Sequence, residues 1–193
     1  METLEEKIRR VVAEDVKLSP YDPAWPQIFE AEKRHLLACL TGKLLLRIEH
    51  FGSTAVPGLP AKPIVDILVE VASLEETRKT IAPLLESQGY DYFWRPIGSE
   101  NIPPFYAWFI KRNEKGERTH HIHMVEKNFE HWDRLLFRDY LREFPESARA
   151  YGELKMQLSN EFPNDRIAYT KAKSSFIVEL TQKAKIHYGK AKE

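Results

Sequence analysis

With only one cysteine, Cys39, the chain of 193 residues cannot form an internal disulfide, and a reducing cytoplasm is the compartment to expect. An excess of either charge is also missing: 29 Lys and Arg stand against 29 Asp and Glu. A general nucleic-acid binder carries a basic excess to neutralise phosphates, so that class is disfavoured, although a local basic pocket for one nucleotide is not. No apolar run approaches the ~18 residues that cross a bilayer, and no membrane role is expected. The opening Met1-Glu2-Thr3-Leu4-Glu5-Glu6 lacks the basic and apolar regions of a secretory signal. Internal repeats and low-complexity segments are absent apart from a lysine-rich tail. What is present is a globular composition, 42% apolar and 11% aromatic, in a length that suits one domain with a real core.

Hydrophobic spacing divides this domain into an α/β part, residues 1–127, and a helical part, residues 128–193. Leu4, Ile8, Val11 and Val12 recur at helical spacing. Val16 to Leu18 reads as a brief strand before the turn Ser19-Pro20-Tyr21-Asp22-Pro23. Asp22 is then the cap of a helix running to about Leu40, with Trp25, Ile28, Phe29, Leu36, Leu37 and Leu40 on its buried side. Cys39, late on that helix, reads as inert packing. Strands are expected over 44–51, 64–71, 90–94, 105–111 and 119–125, with a helix from Ser73 or Leu74 to Gln88 stopped by Gly89. Asn113-Glu114-Lys115-Gly116 marks a hairpin between the last two strands. Beyond Phe129 the pattern is helical, over 129–143, 145–161 and 166–187.

Chemistry-bearing residues concentrate between His50 and Asp66. The strand from Ile64 alternates: Val65, Ile67, Val69 and Val71 are apolar and β-branched, whereas Asp66 and Glu70 fall on the opposite face. Leu68 shares that second face, so alternation predicts that it borders an open site rather than the core. Gly52-Ser53 precedes this strand at a turn, where glycine permits close backbone approach and serine offers a hydroxyl and an amide to a phosphate oxygen. His121 and His123 alternate onto one face of a later strand, with His120, Ile122 and Met124 on the other. Two imidazoles at this spacing can chelate a metal, contact phosphate or act as a general base. Phe93, Trp94, Phe105, Tyr106, Trp108 and Phe109 read mainly as sheet core, and the loop 96–104 is expected to border the site. Arg134, Arg138 and Arg142 form one helical stripe, either a solvated face or a phosphate grip.

The segments His50-Phe51-Gly52-Ser53-Thr54-Ala55-Val56-Pro57-Gly58-Leu59 and Lys62-Pro63-Ile64-Val65-Asp66 resemble the defining stretch of the GrpB family. So do Tyr21-Asp22-Pro23-Ala24-Trp25-Pro26, His120-His121-Ile122-His123 and Phe137-Arg138-Asp139-Tyr140-Leu141-Arg142. That family is placed in the nucleotidyltransferase superfamily, and related domains occur fused to dephospho-coenzyme A kinase. The resemblance implies a nucleotidyltransferase-like mixed sheet with helices on one face and a C-terminal helical bundle. It further implies transfer of a nucleotidyl group from a nucleoside triphosphate to a small-molecule or protein acceptor. In that reading Gly52, Ser53, Thr54, Lys62, Arg138, Tyr169 and Lys173 hold the nucleotide. A divalent metal, Mg or Mn or else a transition metal, falls to Asp66, His121 and His123, which would also be the catalytic groups. One departure stands out: active nucleotidyltransferases usually carry a second carboxylate two residues after the first, and here that residue is Leu68. Two other readings follow, a non-catalytic nucleotide-binding module and a metal-dependent hydrolase built on Asp66, His121 and His123.

Overall fold

Five strands form one mixed sheet in the computed structural model, which describes residues 3–12, 15–40, 44–97 and 101–189. The chain divides into two compact units, one of Pro23–Ala55 and Ile64–Trp132, the other of Met1–Asp22, Val56–Pro63 and Asp133–Glu193. The C-terminal helices therefore share a unit with the chain's start and with the short segment after Ala55. Residues 98–100 of the loop expected near the site, and the lysine-rich tail from 190, lie outside the described residues.

In the sheet unit, α2 (Trp25–Cys39) follows the first helix of the chain, α1 (Leu4–Val12) of the other unit. Strands β1 (Leu45–Phe51), β2 (Val65–Val71), β3 (Asp91–Pro96), β4 (Phe105–Arg112) and β5 (Arg118–Val125) come next. Their order is β1-β2-β5-β4-β3, with β2 and β5 parallel and the other neighbours antiparallel. Between β2 and β3 the chain runs through α3 (Leu74–Glu76), a π-helical turn (Thr77–Ile81) and α4 (Ala82–Ser87). Ser73 caps this stretch by accepting from the Glu76 amide. Asn113 closes the β4–β5 hairpin, its side chain accepting from the Lys115 and Glu117 amides.

The helices cover the β2 face that carries Ile67 and Val69. Phe29 of α2 stacks on His50 with ring centroids 4.9 Å apart, and Arg78 of the π turn lies 4.6 Å from the Trp94 ring. The apolar alternation of β2 thus marks the covered face, as its spacing requires. On α2 the seam is narrower than the sequence predicts: Ile28 and Leu37 are 37% and 51% exposed, and the buried positions include the acid Glu32. Glu32 accepts from the Tyr90 hydroxyl and pairs with Lys111, so the helix docks through a buried polar group that hydrophobic periodicity cannot reveal. The helix also begins later than expected, at Trp25, and Asp22 does not cap it.

His120 lies on this covered face with Glu32 and Lys111 nearby. Burial lowers its pKa below the ordinary histidine value, Lys111 adding to the effect and Glu32 opposing it. The unfolded chain then takes up a proton near pH 6.5 that the folded chain refuses. Stability should be full above that pH and fall as pH drops below it, with a slope of at most ~1.4 kcal/mol per pH unit from this residue. Urea titrations of His120→Asn against the parent between pH 7 and 5 should show a shallower decline in the variant, and parallel curves would refute the assignment.

The helical unit contains α5 (Asp133–Glu143), α6 (Pro145–Glu161), α7 (Arg166–Ala172) and α8 (Ser174–His187). One continuous helix is expected over 166–187, but the structure interrupts it at Lys173, which ends α7 and precedes α8. Val56, Leu59, Phe137, Leu141, Tyr151 and Leu180 make one core cluster here, and Val16, Leu158 and Tyr169 another. No strand forms over Val16–Leu18; the Val16 amide bonds the Pro163 carbonyl, and Ser19 forms a single bridge with Ala61. Among the described residues no helix is long and apolar enough to cross a membrane.

Candidate functional site

At the end of β1 the chain turns through Gly52, with φ +72°, into a short 3-10 turn, Ser53–Ala55. Across the sheet Asp66 stands opposite Phe51 on one side and His121 on the other. Strand order therefore creates the meeting of Asp66 and His121, which are 55 residues apart in sequence. Asp66 Oδ1 lies 3.2 Å from His121 Nδ1, and Arg118 donates to His121 Nε2 at 3.3 Å. That network assigns the proton of a neutral His121 to Nδ1, which donates to Asp66.

The other carboxylate oxygen explains Gly52. A Cβ built on this glycine would lie 2.3 Å from Asp66 Oδ2. The missing side chain makes room for the protein's own carboxylate, and the positive φ makes glycine doubly favoured. Asp66 remains 27% exposed in its side chain, so one edge of the group still meets solvent.

His123 shares this face, as alternation predicts, but its surroundings differ. Its ring stacks on Tyr106 at 5.4 Å and meets Phe51 edge-on at 5.3 Å, with His131 5.6 Å away. Trp108 packs against both His121 and His123, and Phe93 packs on Trp108. Of the aromatics read as core, Phe93, Tyr106, Trp108 and Phe109 are buried.

Leu68 corrects an expectation. It lies on the Asp66 face but is 0% exposed, so it belongs to packed interior rather than to the border of an open site. Alternation fixes which face a residue takes; what covers that face is a tertiary matter. Asp66, His121 and His123 do not fit a divalent metal as they are arranged. The carboxylate is hydrogen-bonded to one imidazole and wedged against Gly52, while the other imidazole lies among aromatic rings. Among the described residues no group of three or more His, Cys, Asp or Glu side chains could hold a metal ion.

Thr54 is buried, with its hydroxyl 3.0 Å from His50 Nε2, and Ser53 is half-buried at the turn. In the helical unit the structure brings together Lys62, Tyr169 and Lys173. Tyr169 is 1% exposed; Lys173 Nζ lies 4.1 Å and Lys62 Nζ 5.8 Å from its ring centroid. Burial pushes the Tyr169 hydroxyl up to about 12, with Arg166 opposing the shift, so at neutral pH it keeps its proton and can donate. Arg138 is buried and donates through Nε to Asp139 Oδ1 at 2.7 Å, whereas Arg134 and Arg142 of the same stripe are exposed.

Two residues with clear roles in these clusters went unread in the sequence: Arg118 and His131. Arg118 lies three residues before His121, but nothing local says that the chain turns it toward that ring. His131 falls outside the strands, so no alternation placed it. Lys155 is buried and donates to the Pro60 carbonyl.

The family profile described as "GrpB protein" matches residues 15–183. A UPF0157 protein of Pseudomonas aeruginosa is 42% identical over 174 residues, covering 88% of this chain and 67% of that one. The crystal structure of the conserved protein GrpB from Enterococcus faecalis superposes with a TM-score of 0.76 at 35% identity, covering 90% of this chain and 99% of that one. A dephospho-CoA kinase of Mycobacterium tuberculosis matches more narrowly, 41% identical over 86 residues, or 42% of this chain and 20% of the kinase. The order of the Gly52 turn and the Asp66 strand, the mixed sheet and these matches lead to one assignment: the chain belongs to the GrpB family.

Proposed function

We propose that the protein is a nucleotide-binding module that holds a nucleoside triphosphate without metal-dependent transfer. The observation that carries this reading is the convergence of Lys62 and Lys173 on the buried Tyr169. Two ammonium groups over one ring, beside a hydroxyl that stays protonated, attract an anion with several oxygens, as a di- or triphosphate has. The engagement of Asp66 with His121 and Gly52, together with the burial of Leu68, favours binding over a two-carboxylate transfer centre. The match to part of a kinase named for a nucleotide-containing substrate is consistent with this class of ligand.

Calorimetric titration with ATP and GTP, with and without Mg, tests the proposal. Binding should need no metal, and Lys62→Ala combined with Lys173→Ala should weaken it at least tenfold, since a hydrogen bond to a charged group contributes ~1.5–3 kcal/mol. Metal-dependent release of pyrophosphate in the presence of candidate acceptors would overturn the reading in favour of transfer. Unaltered affinity in the double variant would remove the lysines from the site.

A further inference from the structure

Among the described residues no strand flanks the outer side of β1, which stands first in the sheet order. An open edge presents a row of amide and carbonyl groups that favours another extended segment. Large apolar side chains are exposed along the same margin. Leu46 of β1 is 56% exposed. On α2, Leu37, 51% exposed, and His35 sit about 100° to either side of the buried Leu36. The His35 flank faces the β3 side, where His35 bonds Gln88 and Glu32 meets Tyr90 and Lys111. Phe29 leans to the other flank and stacks on His50 of β1, so Leu37 lies towards the β1 edge.

The charges on β1 say what fits this edge. Arg47 and Glu49 alternate onto one face and pair at 2.9 Å, and the Arg47 guanidinium also lies 5.0 Å from the Trp132 ring. They stand one residue to either side of Ile48. When two identical strands run antiparallel about a centre at Ile48, each Arg47 stands directly opposite the partner's Glu49. The strand is therefore its own charge complement, whatever other contacts each group keeps. Its register with β2 shifts only between Leu45 and Arg47, so the stretch from Arg47 onward is regular. The opposite edge, β3, lacks these properties. Asp91 is buried there and accepts from Arg112 Nε at 3.0 Å, and Pro96 has no amide hydrogen to offer.

We propose that two copies of this chain associate through antiparallel β1 strands about a two-fold axis at Ile48, joining their sheets into one. Backbone hydrogen bonds along the edge hold the two strands together, and the two symmetry-related pairs of Arg47 with Glu49 set the register. Leu37 and Leu46 lose exposure at the seam, which adds apolar burial to the contact. Lys62, Tyr169 and Lys173 take no part, so this surface does not depend on the nucleotide reading above.

Sedimentation velocity on the full chain over a hundredfold range of concentration tests this. The parent should move from monomer towards dimer as concentration rises. Arg47→Glu or Glu49→Arg alone sets like charges opposite each other twice, and each should weaken the dimer at least tenfold. An equimolar mixture of these two variants restores opposite charges at both crossings and should recover the dimer. Such rescue between separate chains is something a local role for either residue cannot produce. A chain carrying both Arg47→Glu and Glu49→Arg should likewise dimerise by itself. The two side chains are 48% and 28% exposed and so tolerant of exchange, and circular dichroism checks that each variant folds. Leu46→Lys should also weaken association. A parent that stays monomeric throughout, a dimer indifferent to both single exchanges, or a mixture no stronger than its components would each overturn the proposal.

Discussion

Leu68→Asp should lower the unfolding free energy by about 3–5 kcal/mol at neutral pH, the cost of a buried charge without a partner. Leu68 is completely buried in the central strand β2, between Glu49 of β1 and His123 of β5. A carboxylate there loses its hydration, and its two cross-strand neighbours offer little: Glu49 carries like charge, and His123 is packed among Phe51, Tyr106 and Trp108. The penalty should shrink as pH falls, because an apolar environment raises the carboxyl pKa above the unfolded value of ~3.9 and the neutral acid is cheaper to bury. Leu68→Asn separates charge from lost packing, since it keeps the size of Asp without the titration. Urea unfolding at pH 7 and pH 5 measures both, provided the slope of free energy against urea stays constant. A loss below about 1 kcal/mol would mean that Leu68 is reached by water, restoring the open-site expectation that alternation alone suggested. The same substitution introduces the acid at the position where active nucleotidyltransferases usually carry one. Gained Mg-dependent nucleotide binding in a well-folded variant would contradict the packing described here.

Gly52→Ala should cost about 2–4 kcal/mol, from two separable sources. The residue sits at φ +72°, where an L side chain costs ~1–2 kcal/mol. The methyl would also fall 2.3 Å from Asp66 Oδ2, displacing the carboxylate and weakening its charged hydrogen bond with His121, an interaction of ~1.5–3 kcal/mol. A double-mutant cycle with Asp66→Ala distinguishes them. Truncation at position 66 removes the carboxylate and leaves only its Cβ, 3.0 Å from the added methyl, so Gly52→Ala should then cost the backbone strain plus that one tight contact, less than in the parent. A coupling of at least 1 kcal/mol is expected. Additivity within ~0.5 kcal/mol would show that the glycine serves only the turn, and that Asp66 is held elsewhere.

Elements with a strong local signature were legible in advance. The β-branched alternation of Val65, Ile67, Val69 and Val71 announced a strand with one covered face, and that face is the one the helices pack on. Asn113 to Gly116 specified its hairpin, because the Asn side chain satisfies backbone amides within the turn and Gly116 supplies a positive φ. Helix α6 was bounded by Pro145, whose missing amide hydrogen is harmless at a helix start. The break at Lys173 had no such signal: residues 166–187 contain neither proline nor glycine, so local propensity read one helix where the fold makes two.

The sequence by itself determined the five strands, the helical third, the face on which Asp66, His121 and His123 would lie, and membership of the GrpB family. These follow from periodicities of two and 3.6 residues, from turn chemistry and from the order of motifs, all of which are local or linear properties. The tertiary structure alone decided the partners. It set β2 beside β5, so that Asp66 meets His121 rather than His123, and it filled the space over Leu68. It also placed Lys62 with Tyr169 and Lys173, more than 100 residues away, and put Glu32 inside against Tyr90 and Lys111. Each of these is a contact between segments distant in the chain, fixed by strand order and by which surfaces exclude water. No property of the nearby residues encodes either one.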